Sequence, residues 1–304
     1  MGQAGFWRNQ QPTNQRVVLG GYGSFNNVWY ILPQGGGGTL GNPKRNVFET
    51  FADLSPNLRS RDLILLGGVL REQAIAPLGV FDVTIMGANN QPRQATNAGV
   101  PTGGGASWLA PTSPVATTPL IELREQGWTI EGIQMAAHTD DACIKLHCEE
   151  TATYPDASHF TLRGCYLSGG LIGLEDYGGA SHLLIEDNFF ADMAGAGGGA
   201  IVVTNQGIRI PQRWVVRNNR IAPCVNGIIG AFVDCAIINN VISKSTTATM
   251  NLASGNTGLR NFVSWNTFNI AAADFDPAGG VTGNATDTWQ NYLQDTLEYG
   301  VPAN

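Results

Sequence analysis

The phrase "WVVRNNRIAPC" begins at Trp214 and "CAIINNVISKS" begins at Cys235, and four looser copies accompany them: "WTIEGIQM" from Trp128, "FTLRGCYL" from Phe160, "LLIEDNFF" from Leu183 and "NFVSWNTF" from Asn261. No other feature constrains the fold as much, because a repeating unit of roughly 20–50 residues cannot bury its own apolar face and must stack on its copies. Aligned on one position, the copies bring Ile133, Cys165, Asn188, Asn219, Asn240 and Asn266 into one column, with spacings of 32, 23, 31, 21 and 26 residues. Three residues earlier stand Ile130, Leu162, Ile185, Val216, Ile237 and Val263, and two residues later Met135, Leu167, Phe190, Ile221, Ile242 and Phe268. Both columns are wholly apolar. Five residues earlier the column is mostly apolar again: Trp128, Phe160, Leu183, Trp214, Cys235 and Asn261.

Side chains alternate along a strand, so the two earlier columns share one face, and a bend near the Asn column turns the later one inward as well. Each phrase therefore reads as strand, Asn bend, strand. Asn suits a left-handed or turn backbone, and stacked Asn side chains hydrogen-bond to one another. Asn188, Asn219, Asn240 and Asn266 are expected to form such a ladder. Between the phrases, the runs "CIKLHC" at 143–148, "LIGLED" at 171–176, "AIVV" at 200–203, "GIIGAF" at 227–232 and "TMNL" at 249–252 supply another sheet. Gly-rich inserts such as "MAGAGGG" at 193–199 account for the uneven spacing, since each coil of a solenoid touches only its neighbours. The fold class is all-β, a right-handed parallel β-helix.

An independent check comes from an outward position, two residues before the bend, which reads Glu131, Arg163, Glu186 and Arg217. Strands about 4.8 Å apart set these opposite charges side by side. The row is expected to be an exposed structural ladder in which Glu186→Gln costs little.

Composition agrees: 39 glycines and 13% charged residues among 304 suit a turn-rich β chain. The net charge of −7 is spread along the sequence without a basic stripe, which argues against a nucleic-acid partner. No stretch approaches the roughly 18 apolar residues of a membrane helix. The five cysteines are odd in number and contain no C-x-x-C pair, so buried reduced thiols are expected, with no metal and no cofactor. The opening residues lack the charged-then-apolar layout of a secretory leader, which points to synthesis in a reducing cytoplasm.

The flanks suggest boundaries. Residues 1–42 combine Phe6, Trp7, Tyr22, Phe25, Trp29 and Tyr30 with abundant Gly, Asn and Gln, and read as an extended arm whose aromatic residues bind another protein surface. Residues 43–280 form the coil, opened by a capping helix at 43–54 with Val47, Phe48, Phe51 and Leu54 on one face. Residues 89–118 read as a loop or flap. Within 281–304, Trp289, Leu293 and Leu297 at helical spacing suggest a short C-terminal helix followed by a tail.

On these motifs, over about residues 44–280, the chain resembles the right-handed β-helix proteins carried on tailed-phage virions, within the wider pectate-lyase-like superfold. The resemblance implies a homotrimer on the virion surface. It further implies a role there either as a decoration protein anchored to the major capsid protein or as a tailspike-like binder or depolymerase of host glycan. Paired carboxylates for sugar hydrolysis are sought among Glu175, Asp176, Glu186, Asp187 and Asp192. Glu186 is already claimed by the charge ladder, and adjacent carboxylates on a strand face opposite ways. The reading is therefore a non-enzymatic decoration protein, with the depolymerase as the alternative. His159 and His182 should stack at one corner, and Tyr166 and Phe189, outward on adjacent rungs, suit either a trimer seam or a platform for a sugar ring.

Overall fold

The computed structural model describes residues 17–19, 23–33, 46–88, 94–95, 101–102, 106–149, 151, 155–204, 209–243, 248–251, 261–269, 286–289 and 292–293. Three parallel sheets of 11, 9 and 7 strands run along the molecule, and the chain visits them in turn. Thr161–Arg163, Tyr166–Ser168 and Ile172–Tyr177, for example, belong to the first, second and third sheets of a single rung. This is the parallel β-helix that the repeat implies.

The alignment holds residue by residue. Ile130, Leu162, Ile185, Val216, Ile237 and Val263 are paired in sequence across the first sheet, and Met135, Leu167, Phe190, Ile221, Ile242 and Phe268 across the second. Except for Phe268, whose side chain is not described, all of them are buried in one continuous core. The third sheet contributes Ile144, Leu174, Ile201 and Ile228 to the same core.

The bend between the first and second sheets divides its work between two residues. The left-handed residue precedes the ladder Asn: Gly132, Gly164, Asp187, Asn218, Asn239 and Trp265 all have φ between 54° and 65°. The expectation that the ladder Asn itself takes that conformation fails, because its side chain is needed inside. Asn219 Nδ2 donates to Ile185 O at 2.9 Å and to Asn240 Oδ1 at 3.0 Å. Its own Oδ1 accepts from the backbone N–H and Nδ2 of Asn188, both at 3.0 Å. Asn240 repeats the pattern onto Asn266, so buried bend amides are satisfied rung by rung.

Several boundaries move. The segment expected as a free arm enters the coil early: Val28–Ile31 is a strand of the first sheet, paired with Leu63–Leu66. Phe25 packs with Leu63, Leu65 and Met86, and the partly buried Tyr30 packs against the same cluster. Trp29 donates its indole N–H to Asp62 at 2.7 Å and meets Phe48 edge-on. Phe25 is buried by the chain's own first rung, and Trp29 and Tyr30 are partly covered by it. Phe6, Trp7 and Tyr22 lie outside the described residues.

The capping helix is shorter than the pattern at 43–54 suggested. Val47–Phe48 is a strand beside Tyr30–Ile31, and among the described residues of that range only Phe51–Leu54 (α1) is helical. The Thr50 hydroxyl caps its start, and Pro56 follows in a 3-10 turn over Ser55–Asn57. Phe51 and Leu54 still close the end of the core, with Phe51 against Trp108. Trp108 itself belongs to Ala106–Leu109, a strand of the second sheet, so the segment 89–118 is not all loop. At the other end, Trp289 and Leu293 sit in strands Thr286–Trp289 and Tyr292–Leu293 that add to the first and second sheets. The helix expected there is absent from these residues. Their spacing fits two strands as well as a helix face, and the open edge of the preceding rung supplies the pairing partner. Leu297 lies outside the described residues.

Candidate functional site

The charge row lies where the repeat places it, on four adjacent strands. Arg163 Nε and Arg217 Nε donate to the two oxygens of Glu186 at 2.5 and 2.7 Å, and Arg163 Nη1 stands 3.9 Å from Glu131. The row is not an exposed ladder at its acidic members, for Glu186 is only 5% exposed. The long guanidinium side chains on the rungs above and below close over it. Burial pushes the Glu186 carboxyl up, but hydrogen bonds and charge from Arg217 and Arg163 outweigh this and hold it below its ordinary value. A carboxylate held in this way cannot serve as a general acid near neutral pH. Asp187 is the left-handed bend residue beside it, so the two do not form an acid–base pair.

His159 and His182 stack as the register required, with ring centroids 4.7 Å apart and planes within 8°. Both occupy a left-handed corner, and Arg213 Nη1 lies 3.1 Å from His182 Nε2. Parallel rings on successive rungs do not converge on an ion that needs nitrogen ligands at about 2.0–2.1 Å. Tyr166 and Phe189 are neighbours in the second sheet at 5.1 Å, with the Arg220 guanidinium 5.4 Å over Phe189. They form a half-buried aromatic stripe on the outer surface. Glu175 and Asp176 diverge: Glu175 faces outward, and Asp176 is wholly buried.

The densest chemistry lies elsewhere, on the outer face of the third sheet. Ile121–Leu123, Ala142–His147, Ile172–Tyr177 and Gly199–Thr204 are consecutive parallel strands. Their pairing aligns Glu122, Lys145 and Glu175 in one row and His147, Tyr177 and Thr204 in the next. His147 Nδ1 meets Glu122 Oε1 at 3.0 Å, and Arg124 Nε donates to the same oxygen at 2.7 Å. Glu149 lies 3.4 Å from His147 Nε2. The imidazole stands edge-on to the Tyr177 ring at 4.8 Å, and Lys145 Nζ sits 4.2 Å above that ring. Lys145 also lies 3.8 Å from Glu175, which accepts from Thr204 Oγ1 at 2.7 Å. Burial pushes Glu122 up, yet the bonds from His147 and Arg124 prevail and hold its carboxyl below the ordinary value. Among the described residues, no group of three or more His, Cys, Asp and Glu side chains is arranged to hold a metal ion.

No protein-family model matches the chain, and no curated protein matches it in sequence. Among solved structures it is similar to an alginate lyase from Paenibacillus sp. str. FPU-7, with a TM-score of 0.50 and 14% identity over 79% of this chain and 83% of that one. Its fold is the parallel β-helix of that enzyme. Two further structures align with lower scores. Pectate lyase Pel9A gives a TM-score of 0.43 at 12% identity, over 90% of this chain and 78% of that one. The Dettilon tailspike protein gives 0.35 at 10% identity, over 90% and 60%. At such identities the likeness concerns the fold, and the chemistry must be read from the side chains.

Those side chains restrict the chemistry. Glu122 is held below its ordinary value by His147 and Arg124, so it does not resemble the protonated partner that glycoside hydrolysis requires. The imidazole and the phenol are the groups suited to moving protons, and Lys145 and Arg124 place positive charge beside them. The repeat alignment passed over this cluster because it followed the inward residues of "CIKLHC" and "LIGLED". The available signal was the opposite alternation. Glu122 and Arg124, Lys145 and His147, and Glu175 and Tyr177 are outward pairs two residues apart on three successive copies.

Proposed function

We propose that this chain binds an acidic polysaccharide across the outer face of its third sheet and cleaves it by proton transfer at His147 and Tyr177. The observation that carries the reading is the row His147–Tyr177–Thr204 set beside Lys145 and Arg124 on consecutive rungs. Rungs about 4.8 Å apart repeat on the scale of a sugar ring, so a glycan laid along the coil axis meets a new row at each residue. Lys145 and Arg124 attract a uronate carboxylate and stabilise charge that develops next to it. Elimination then breaks the glycosidic C–O bond. A base takes the proton from the carbon beside the carboxylate, the leaving oxygen gains a proton from an acid, and one product carries a new C=C bond. His147, oriented by Glu122 at Nδ1, is the base through Nε2 once the substrate displaces Glu149 from its 3.4 Å approach, and Tyr177 is the acid.

In the virion-decoration reading, anchoring depends on the aromatic arm. With Phe25, Trp29 and Tyr30 packed in the first rung, a smaller apolar surface is left for anchoring to a capsid protein. Attachment to a virion and trimer formation are compatible with the carbohydrate reading, but they do not account for the third-sheet cluster.

The test is incubation with alginate, polygalacturonate and neutral glucans, read by ultraviolet absorbance of the unsaturated product and by chain length. Acidic chains should shorten and neutral ones should not. His147→Ala should reduce the rate by about 10²–10⁴-fold while binding persists, and Lys145→Ala should weaken binding. If no polysaccharide binds the folded protein, the reading is wrong.

A further inference from the structure

Tyr177 ends its strand and leads directly into Gly178–Gly179–Ala180, where the two glycines have φ of 104° and 93°. Side chains do not fit there. A Cβ at position 178 would lie 2.3 Å from Cys148 O, and one at 179 would lie 2.1 Å from Arg209 O. The turn is also bonded to both neighbouring rungs. Cys148 N–H donates to Tyr177 O at 2.9 Å, Gly178 N–H to Thr204 O at 3.2 Å, and Arg209 Nε to Gly179 O at 2.6 Å.

Beneath this turn lies a carboxylate that the proposed chemistry does not use. Asp176 is 0% exposed and points inward between the outward Glu175 and Tyr177. Its two oxygens accept the Ala180 N–H at 2.9 and 3.1 Å. Burying a carboxylate is costly unless donors compensate. An apolar residue would fill the interior of the strand without that cost, and an asparagine would supply one acceptor and bring two donors that need partners. Asp176 therefore functions as an acceptor for the turn, and the turn carries Tyr177.

We infer that Asp176 is a positioning residue whose charge state sets how tightly Gly178–Gly179–Ala180 is drawn beneath the strand, and thereby how Tyr177 sits against His147. Burial raises its carboxyl to about 7, opposed by the backbone N–H groups of Ala180 and Gly179 and by the Arg209 charge, with Glu175 adding to the rise. Both forms are thus populated near neutral pH. The other ionisable groups facing this region are Asp156, bonded to Arg209 at 2.9 Å, and Cys148, whose thiol is pushed up by burial and by Asp176 and stays neutral. On the outer side stand Lys145, His147 and Tyr177 itself. The native carboxyl holds its proton more tightly than the unfolded one. Its contribution to stability is therefore present at acid pH and declines as pH rises from about 4 to about 7. The ionised form instead bonds the turn amide more strongly, because charged acceptors make hydrogen bonds roughly twice as strong as neutral ones.

The role is defined with respect to the proposed site, but its test needs no carbohydrate. The Ala180 and Gly179 amides and the Tyr177 and His147 rings would be followed by NMR from pH of about 5 to about 9, in the wild type and in Asp176→Asn. The wild-type Ala180 amide should titrate with a midpoint near neutral, the Tyr177 ring should move with it, and both responses should vanish in Asp176→Asn. Three results overturn the inference: an Ala180 amide that does not titrate in the wild type, a Tyr177 ring that ignores the titration, or a response that persists in Asp176→Asn. The first two use only the wild-type protein, so a poorly folding variant does not block the test. A protein that shows the coupled titration and binds no polysaccharide would retain this inference and lose the functional reading.

Discussion

Replacing Asn219 by Ala isolates what the bend ladder contributes. Asn219 is buried, and its side chain makes four hydrogen bonds: two donated to Ile185 O and Asn240 Oδ1, and two accepted from Asn188. Asn240 Oδ1 keeps a partner in the backbone N–H of Asn219, and Asn188 Nδ2 keeps Leu162 O. The Asn188 backbone N–H loses its bend acceptor. Neutral buried hydrogen bonds contribute about 1 kcal/mol each, and an orphaned buried group costs about 1–3 kcal/mol. The expected loss is therefore about 4 kcal/mol, a large part of a typical domain stability of about 5–15 kcal/mol. The neighbouring Asn218 provides the contrast. It has φ of 57° and one exposed bond from Asn239 at 2.6 Å. Asn218→Gly gives up that bond and gains a residue at ease in the left-handed region, so its change should stay within about 0.5 kcal/mol. Urea unfolding followed by fluorescence of the buried Trp214 and Trp128 would compare the midpoints. If the two variants unfold together, near the wild type, the ladder does not stabilise the coil and the argument from orphaned amides is refuted.

Two further outcomes follow from the same face of the coil. Glu186→Gln should cost about 2 kcal/mol, because charge-assisted bonds to two arginines are lost, reduced by solvent at guanidinium side chains that are 39% and 46% exposed. Since the native Glu186 carboxyl is held below its ordinary value, the gap between variant and wild type should shrink as pH falls below about 4; a gap independent of pH in thermal melts would contradict the ion-pair account. Trp265 occupies the left-handed bend position with φ of 54°, its side chain 47% exposed and edge-on to Phe262 at 6.5 Å, a conformation that costs most residues about 1–2 kcal/mol. Trp265→Asn, continuing the column of Asn218 and Asn239, should raise the melting temperature, and a lower one would mean that the indole is held by contacts worth more than the strain.

The coil was legible in the sequence because its cause is local and repeated. Inward apolar residues at fixed offsets from a bend, copied six times with Asn at the bend in four of the copies, leave little freedom in register, and the structure pairs those columns as aligned. The charge row could be read for the same reason. What lay beyond the sequence was whatever depends on which surface a side chain meets. Glu186 looks exposed by its outward position, and only the reach of Arg163 and Arg217 across the rungs buries it. Phe25, Trp29 and Tyr30 look like a free aromatic arm until Leu63, Leu65 and Asp62 are brought alongside them. Trp289 and Leu293 fit a helix face and two strands equally well, and the open edge of the preceding rung decides between them. The third-sheet cluster was hidden most completely. Glu122, His147 and Tyr177 come from rungs separated by loops of unequal length, so the outward alternation on each strand marks the residues without showing which of them meet. Their contact arises only when backbone hydrogen bonding sets three strands side by side, and Asp176 beneath them acquires its role only once that stacking has removed it from water.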